Sequence, residues 1–476
     1  MISDRSLDLF HKAASDLPAY RYFLAAHTID HSLIKTTADY AKVPITSKKN
    51  YLTIHDQKDL LWHDHSKQAL LYCSTSGSTG EPYYFPRTDD LSWQYSFVLE
   101  NFINSSSYGK GSTLVLVGFG MGVWIGGIIT LRAFEIASTR VDTPISILPT
   151  GYNKTEIFKA LRQLSPNFDQ TIIVGYPPFI KELVDEAPNE QVDLANLHIR
   201  FLFAAESFTE TFRNYVCQQA GIDNPLRDTL NIYGTADIGA IAYETPLSIL
   251  IRRLAIEDPL LYRDLFGQIE KTPTLAQYNP EFIEFEIVDG QVILNANGAL
   301  PLIRYAVGDN GGILEYTQIK NIMKRYGTDI DTEVVKAGIK NIVNKTQPFV
   351  YVYERSDMSV TLHGIIIYPE FIKEGLLQPT MADLFTERFT MSTKHDIHHN
   401  QFLQINIELQ KNIIADQKIA DHALKVIRQQ LIVQSSEFAE VAKSRLTDRL
   451  IDIVLWTNGH PRYFAPGTKQ KWVEKT

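Results

Sequence analysis

Ser74-Thr75-Ser76-Gly77-Ser78-Thr79-Gly80-Glu81-Pro82 follows the apolar run Ala69-Leu70-Leu71-Tyr72-Cys73, and the reading of this junction sets the fold of the chain. The apolar run predicts a buried strand, and the stretch after it packs hydroxyls and glycines into one short turn. Glycine opens backbone conformations closed to other residues and lets main-chain N–H groups come close to a ligand. Serine and threonine add donors that rotate to meet phosphate oxygens. A strand feeding such a loop is an anion cradle. On these residues alone a flexible polar surface turn is an equal reading.

Outward from the junction, short β-rich runs alternate with helical patterns. Positions 114–117, 145–148, 171–174 and 199–203 read as strands, 155–164 and 179–186 as helices. That rhythm predicts a parallel sheet with helices on its faces. Residues 112–131 carry no charge, about the length of a membrane span, but five glycines interrupt them. A buried strand at 113–117, a glycine turn and a buried helix from Val123 is the preferred reading. After a run at 229–233, alternating runs at 282–288 and 291–294 flank Asp289-Gly290 and predict a hairpin, so the sheet turns antiparallel there.

The first 50 residues read as a helical covering arm, with Pro18 and Pro44 as punctuation and Thr46 as the cap of a turn at 47–50. The pattern changes near Glu354. Beyond it a strand at 364–368, a helix after Pro369, a strand at 402–409, a helix at 419–431 and a strand at 450–455 predict a small α+β domain. The expected division is 1–354 and 355–476, an α/β fold with a large N-terminal domain and a small mobile C-terminal one.

Composition narrows the function. The 476 residues are 44% hydrophobic and 21% charged, enough for a large core, and a net charge of −9 without a basic stripe disfavours nucleic acid as a partner. Two cysteines, Cys73 and Cys217, exclude a disulfide framework and fit a reducing compartment. No secretion signal opens the chain, so a cytoplasmic protein acting on small molecules is expected, with a homodimer left open. The groupings His63-Asp64-His65 and 395–399 (HDIHH) stand in polar segments without cysteine and read as surface rather than metal ligands.

Nine stretches in order resemble the phenylacetate–coenzyme A ligase branch of the adenylate-forming enzymes. They are Leu17-Pro18-Ala19-Tyr20-Arg21, Val43-Pro44-Ile45-Thr46, the loop at 74–82, residues 118–127 (GFGMGVWIGG), residues 204–210 (AAESFTE), residues 231–239 (NIYGTADIG), residues 302–309 (LIRYAVGD), the run from Arg355-Ser356-Asp357 to Gly364, and residues 468–473 (TKQKWV). The resemblance spans nearly the whole chain. It implies activation of a carboxylic acid with ATP and Mg²⁺ as an acyl-adenylate, followed by transfer to a thiol, coenzyme A foremost.

Roles carry over from the resemblance residue by residue. Ser76, Gly77, Ser78, Thr79 and Gly80 would hold the outer phosphates. Ala205, Glu206, Asn231, Tyr233, Gly234 and Thr235 would surround adenine, Asp237 would place Mg²⁺, and Asp309 would accept both ribose hydroxyls. Arg304 and Arg355 are the cations expected to meet the nucleotide, and Lys469, chosen over Lys471, would neutralise the α-phosphate and the attacking carboxylate. Trp124, Tyr176, Pro178, Ala205, Phe208 and Gly239 would line an apolar pocket for an aromatic or otherwise flat acid. Asp357 would be the hinge, and Gly364 would line the tunnel for the pantetheine arm.

Plainer readings stand beside these. Asp237 also suits a helix start, Gly308-Asp309-Asn310-Gly311 a turn, and Gly364 the start of a strand. The chain departs from the family's pattern at Glu81, where a lysine is usual, at Asp237 in place of glutamate, at Ala306-Val307 in place of a more polar pair, at Glu354 in place of the glycine before the hinge arginine, and at Thr468 in place of glycine. Transfer to a carrier protein or an amine is the enzyme alternative, and a nucleotide-binding regulatory protein that kept the fold is the alternative of another class.

Overall fold

The computed structural model describes residues 3–64, 70–74, 83–123, 125–267, 273–355, 359–444, 450–464 and 472–474. Leu71–Ser74 (β1) and Tyr84–Arg87 (β2) pair antiparallel as a ribbon of their own. The run before the serine-rich loop therefore does not enter the main sheet. It alternates, Cys73 buried and Tyr72 43% exposed, as one side of a two-stranded arm must.

Thr113–Val117 (β3), Ile145–Leu148 (β4), Gln170–Gly175 (β5), Ile199–Ala204 (β6) and Thr229–Thr235 (β7) pair in parallel, in the order β4-β3-β5-β6-β7. Every residue of β3 and β5 is buried, because helices cover both faces. Helices Lys154–Gln163, Pro177–Glu186 and Glu210–Ala220 pack on one face around Phe158, Leu183 and Val216. Helices Asp89–Asn104 and Ile125–Ser138 pack on the other around Leu99 and Phe134. The uncharged segment 112–131 is thus β3, a glycine turn and a buried helix. Among the described residues no helix is long and apolar enough to cross a membrane.

The sheet continues antiparallel through Gly239–Tyr243 (β8), Thr274–Gln277 (β9), Ile283–Val288 (β10), Gln291–Ala296 (β11), Leu302–Leu314 (β12) and Phe349–Arg355 (β13). From β7 the order runs β8-β9-β13-β12-β11-β10, completing eleven strands. Residues 308–311 lie inside β12, so the turn reading of Gly308-Asp309-Asn310-Gly311 is overturned.

Helices Asp4–Asp16 and Pro18–Ala26 lay Phe10 and Tyr20 over Leu294 and Tyr305 in one core, which makes the N-terminal arm a lid on the antiparallel half. The cap of the turn at 47–50 is Ser47, whose hydroxyl accepts from the Asn50 N–H at 3.2 Å. Thr46 instead staples the arm to β12: its hydroxyl donates to the Ile303 carbonyl at 2.7 Å, and its backbone bridges Tyr305.

The small C-terminal domain has its own core. A hairpin of Val360–Leu362 (β14) and Ile365–Ile367 (β15) precedes helix Pro369–Leu376, then Phe385–His395 (β16), Gln401–Leu409 (β17), helices Gln417–Gln434 and Ser436–Ser444, and Ile451–Trp456 (β18). Sequence patterning misses two strands of this domain, the three-residue β14 and the long β16. An irregularity in the pairing of β16 between Phe385 and Phe389 breaks the alternation that would have marked it. The histidine-rich residues 395–399 close the β16–β17 hairpin, with Asp396 accepting from the His398 and Asn400 N–H groups at 2.8 Å.

Candidate active site

The parallel strands β3, β5, β6 and β7 run the same way, so their carboxyl ends open on one side of the sheet, where α/β folds bind ligands. Gly118–Gly122 follows β3, Tyr176 follows β5, Ala205 and Glu206 follow β6, and Tyr233, Gly234 and Thr235 form the end of β7. Ser74 is tied to the same edge, its N–H donating to the Val123 carbonyl at 2.8 Å. The loop residues Ser76, Gly77, Ser78, Thr79 and Gly80 lie outside the described residues, as do Trp124, Asp357 and Lys469.

Two tyrosine–aspartate pairs organise the cleft. Tyr233 on β7 donates its hydroxyl to Asp309 Oδ2 on β12 at 2.5 Å, and Tyr305 on β12 donates to Asp237 Oδ2 in the β7–β8 turn at 2.5 Å. The pairs cross: each segment supplies one tyrosine and, four residues on, one aspartate. β7 and β12 are separated in the sheet by β8, β9 and β13. At about 4.8 Å per strand a flat sheet would hold them roughly 19 Å apart, more than the two side chains span. β8 and β9 share a single residue pair, Tyr243 with Gln277, and the crossed pairs require the antiparallel half to bend over the parallel half there, which makes the cleft.

Asp237 lies in a hairpin turn, not at a helix start, and a buried arginine sets that turn. Arg87 on β2 donates to the carbonyls of Asp237 at 2.8 Å and Ile238 at 2.9 Å, and also to that of Ala236. Burial pulls the Arg87 guanidinium down to about 10, against Cys73 and Asp237 beside it. Thr235 Oγ1 accepts from the Ile238 N–H at 3.3 Å within the same turn. Gly234 is required there, because a Cβ would meet the Gly239 carbonyl oxygen at 2.6 Å.

Beneath β6 and β7, Asn231 donates its amide to the Glu206 carbonyl at 3.0 Å, and its N–H meets Glu244 Oε2 at 3.1 Å. Among the described residues Asn231 Oδ1 is buried without a partner, an acceptor left over on β7. Ala205 adopts φ +72°, a left-handed conformation that turns the backbone sharply at the end of β6.

Tyr176, Phe119 and Tyr152 stand together, with ring centroids 5.0 Å and 5.9 Å from Tyr176. Burial raises the Tyr176 hydroxyl well above its ordinary range, with Glu437 adding to the rise. Pro178 is buried in the first turn of the helix that Tyr176 caps, and Gly239 is buried beside Ile125 and Ile129. Gly364 sits on this wall at φ +78°, where a Cβ would meet the Tyr176 ring at 2.7 Å.

Two expected site residues are elsewhere. Arg304 points away from the cleft and is consumed by the N-terminal arm: Nε meets Glu286 at 2.5 Å, and Nη1 meets the Ala41 carbonyl at 2.6 Å and the Val43 carbonyl. Alternate residues of a strand face opposite sides, and Tyr305 and Asp309 take the cleft side. Phe208 belongs to the core, packed edge-on against Phe203 at 4.8 Å and tilted against Phe212 at 5.4 Å. Arg355 ends β13 in register with Asp309. Two residues that sequence reasoning passed over, Arg87 and Tyr305, hold the carboxylate turn. Tyr305 stands inside the 302–309 stretch, where no role is read for it, and Arg87 lies just beyond the 74–82 loop.

Asp237 keeps its second oxygen available while Tyr305 occupies the first. One carboxylate plus nucleotide phosphates is the donor set by which Mg²⁺ is commonly held, so the residues present fit it.

No family model matches the chain. A curated phenylacetate–coenzyme A ligase from Aromatoleum evansii is 23% identical over 329 residues, covering 68% of this chain and 69% of that one. Among solved structures, 2-hydroxyisobutyryl-CoA ligase in complex with 2-HIB-AMP and CoA in the thioesterification state has a TM-score of 0.65 at 16% identity, covering 99% of this chain and 88% of that one. The same ligase in the postadenylation state with 2-HIB-AMP gives 0.54 at 14% identity over the same shares. The chain thus has the fold of an adenylate-forming acyl–coenzyme A ligase and is similar, over two thirds of its length, to a curated phenylacetate–coenzyme A ligase.

Proposed function

We propose that the protein activates a carboxylic acid with ATP as an acyl-adenylate and then passes the acyl group to the thiol of coenzyme A. The observation that carries this reading is the convergence of Tyr233, Asp237, Tyr305 and Asp309 at the carboxyl ends of the parallel strands, beside the start of the serine-rich loop. Asp309, aimed by Tyr233, accepts the ribose hydroxyls. Tyr233 and Gly234 wall the adenine, and the free acceptor of Asn231 takes its amino group. Asp237 holds Mg²⁺, which neutralises phosphate charge when bound. Arg355 and the loop residues 76–80 meet the phosphates, and Lys469 meets the charge that grows as the carboxylate attacks.

The division at 354–355 makes residues 355–476 a cap that turns about Asp357 between the two half-reactions. Gly364 belongs to the second of these, because a residue without a side chain lets the 363–364 turn close on Tyr176 at the wall along which a pantetheine arm would enter. The higher agreement with the relative's thioesterification state supports that pose. The aromatic wall of Phe119, Tyr152 and Tyr176 suits a flat or aromatic acid, in keeping with the curated relative's name.

Exchange of labelled pyrophosphate into ATP across a panel of carboxylic acids tests the reading. Exchange with aromatic acids is the expected result. Absence of exchange with every acid, with ATP binding retained, would make the protein a nucleotide-binding relative instead. Product capture with coenzyme A, a carrier protein and amines then identifies the acceptor.

A further inference from the structure

The small domain holds one buried acid of the body, Glu206. Both donors to the Glu206 carboxylate come from the other domain: the Gly364 N–H donates to Oε1, and the Gln401 side-chain amide donates to Oε2 at 2.7 Å. Gln401, the first residue of β17, also accepts the His363 N–H on its Oε1 at 2.6 Å. His363 and Gly364 form the β14–β15 turn, and both have positive φ, +51° and +78°. One side chain from each domain therefore ties down two successive N–H groups of the turn that rests on Tyr176. Glu206, Gln401 and His363 are 9%, 7% and 3% exposed. Around them Lys181 Nζ donates to Asn400 Oδ1 at 2.9 Å, and the Tyr215 and His399 rings stand 5.6 Å apart.

A carboxylate taken out of water is tolerated only while donors satisfy it. Glu206 is buried and satisfied in the docked arrangement, and a departing small domain would take both donors with it and let water in. Loss of one donor therefore penalises the docked arrangement alone, and such a difference between two poses is what shifts their populations.

We propose that Glu206 and Gln401 form a latch that fixes how fully Gly364 stays seated on Tyr176. On the functional reading given above, the latch sets the rate of thioester formation rather than of adenylation. Glu206 and Gln401 are positioning residues, acting through the 363–364 backbone.

Gln401→Glu tests this, because it keeps an oxygen for the His363 N–H but sets a second carboxylate against Glu206. The docked arrangement is read directly from the distance between spin labels at Asn189→Cys and Lys411→Cys, both exposed positions, with native Cys73 and Cys217 buried. Gln401→Glu should move population out of the docked distance. The exchanged pair Glu206→Gln/Gln401→Glu, which restores every donor and acceptor, should return it. Thioester formation from supplied acyl-adenylate should fall about tenfold in Gln401→Glu, the worth of one charge-assisted hydrogen bond, with pyrophosphate exchange within about twofold of wild type. An unchanged distance distribution in Gln401→Glu, a folded exchanged pair that fails to recover it, or equal loss of both half-reactions would overturn the latch. Wild-type protein inactive with every acid would remove the functional reading, while the distances would still decide the latch.

Discussion

Asp309→Ala should lose pyrophosphate exchange by about two to four orders of magnitude while unfolding close to the wild-type midpoint. A carboxylate accepting two ribose hydroxyls makes two charge-assisted hydrogen bonds of about 1.5–3 kcal/mol each, and every 1.4 kcal/mol is about tenfold. The geometry prepares Asp309 for that work. It is 9% exposed, and Tyr233 holds one oxygen at 2.5 Å, so its orientation is fixed before nucleotide arrives. Tyr233→Phe removes the holder and keeps the acceptor, so its loss should be about tenfold. The ATP dissociation constants, measured by calorimetry, should rise in the same order. Equal activity of Asp309→Ala and wild type would show that the crossed tyrosine–aspartate pairs only brace the sheet.

How far this cleft could be read from sequence depends on the kind of contact. β3 and β5 are legible because strands covered on both faces carry continuous apolar runs, and residues 114–117 and 172–175 are such runs. The β10–β11 hairpin is legible because Asp289-Gly290 is a turn signal between alternating runs. β16 is not, because an irregular pairing disrupts its period. The segments bearing Tyr233, Asp237, Tyr305 and Asp309 could be named from resemblance, but not the crossing of their partners. That depends on how far the sheet bends between β8 and β9, a property of the whole sheet rather than of any motif. Arg304 shows the converse error. It neighbours Tyr305 in sequence, yet a strand turns adjacent side chains to opposite faces, and its guanidinium secures the N-terminal arm. Gln401 lies 195 residues from Glu206, and no local pattern announces such a contact.

Arg213→Met should cost about 3–5 kcal/mol of folding stability, the loss typical of breaking a buried ion pair by removing one partner. Arg213 is fully buried and holds two acids at once: Nε meets Glu210 at 3.1 Å, and Nη2 meets Glu244 at 2.7 Å. Burial pushes the Glu210 carboxyl up, and Arg213, Arg252 and Arg253 pull it down to about 2. The folded value lies below the ordinary glutamate value of about 4.3, so this stabilisation is present above that range and is lost as pH falls towards 2. In Arg213→Met, Arg252 still reaches both acids and Arg253 still reaches Glu210, but Glu210 loses one of its three cations, and the acid limb of the stability profile should move to higher pH. Arg213→Lys keeps the charge and loses the fork, so its loss should be smaller. Urea unfolding from pH 3 to 8 measures all three proteins. The network also bears on the site, because Glu244 holds the Asn231 N–H and Asn231 holds the Glu206 carbonyl. Arg213→Met should accordingly weaken ATP binding even under conditions where it is fully folded, and a variant that keeps both wild-type stability and wild-type ATP affinity would show that the charges beneath β6 and β7 hold nothing in place.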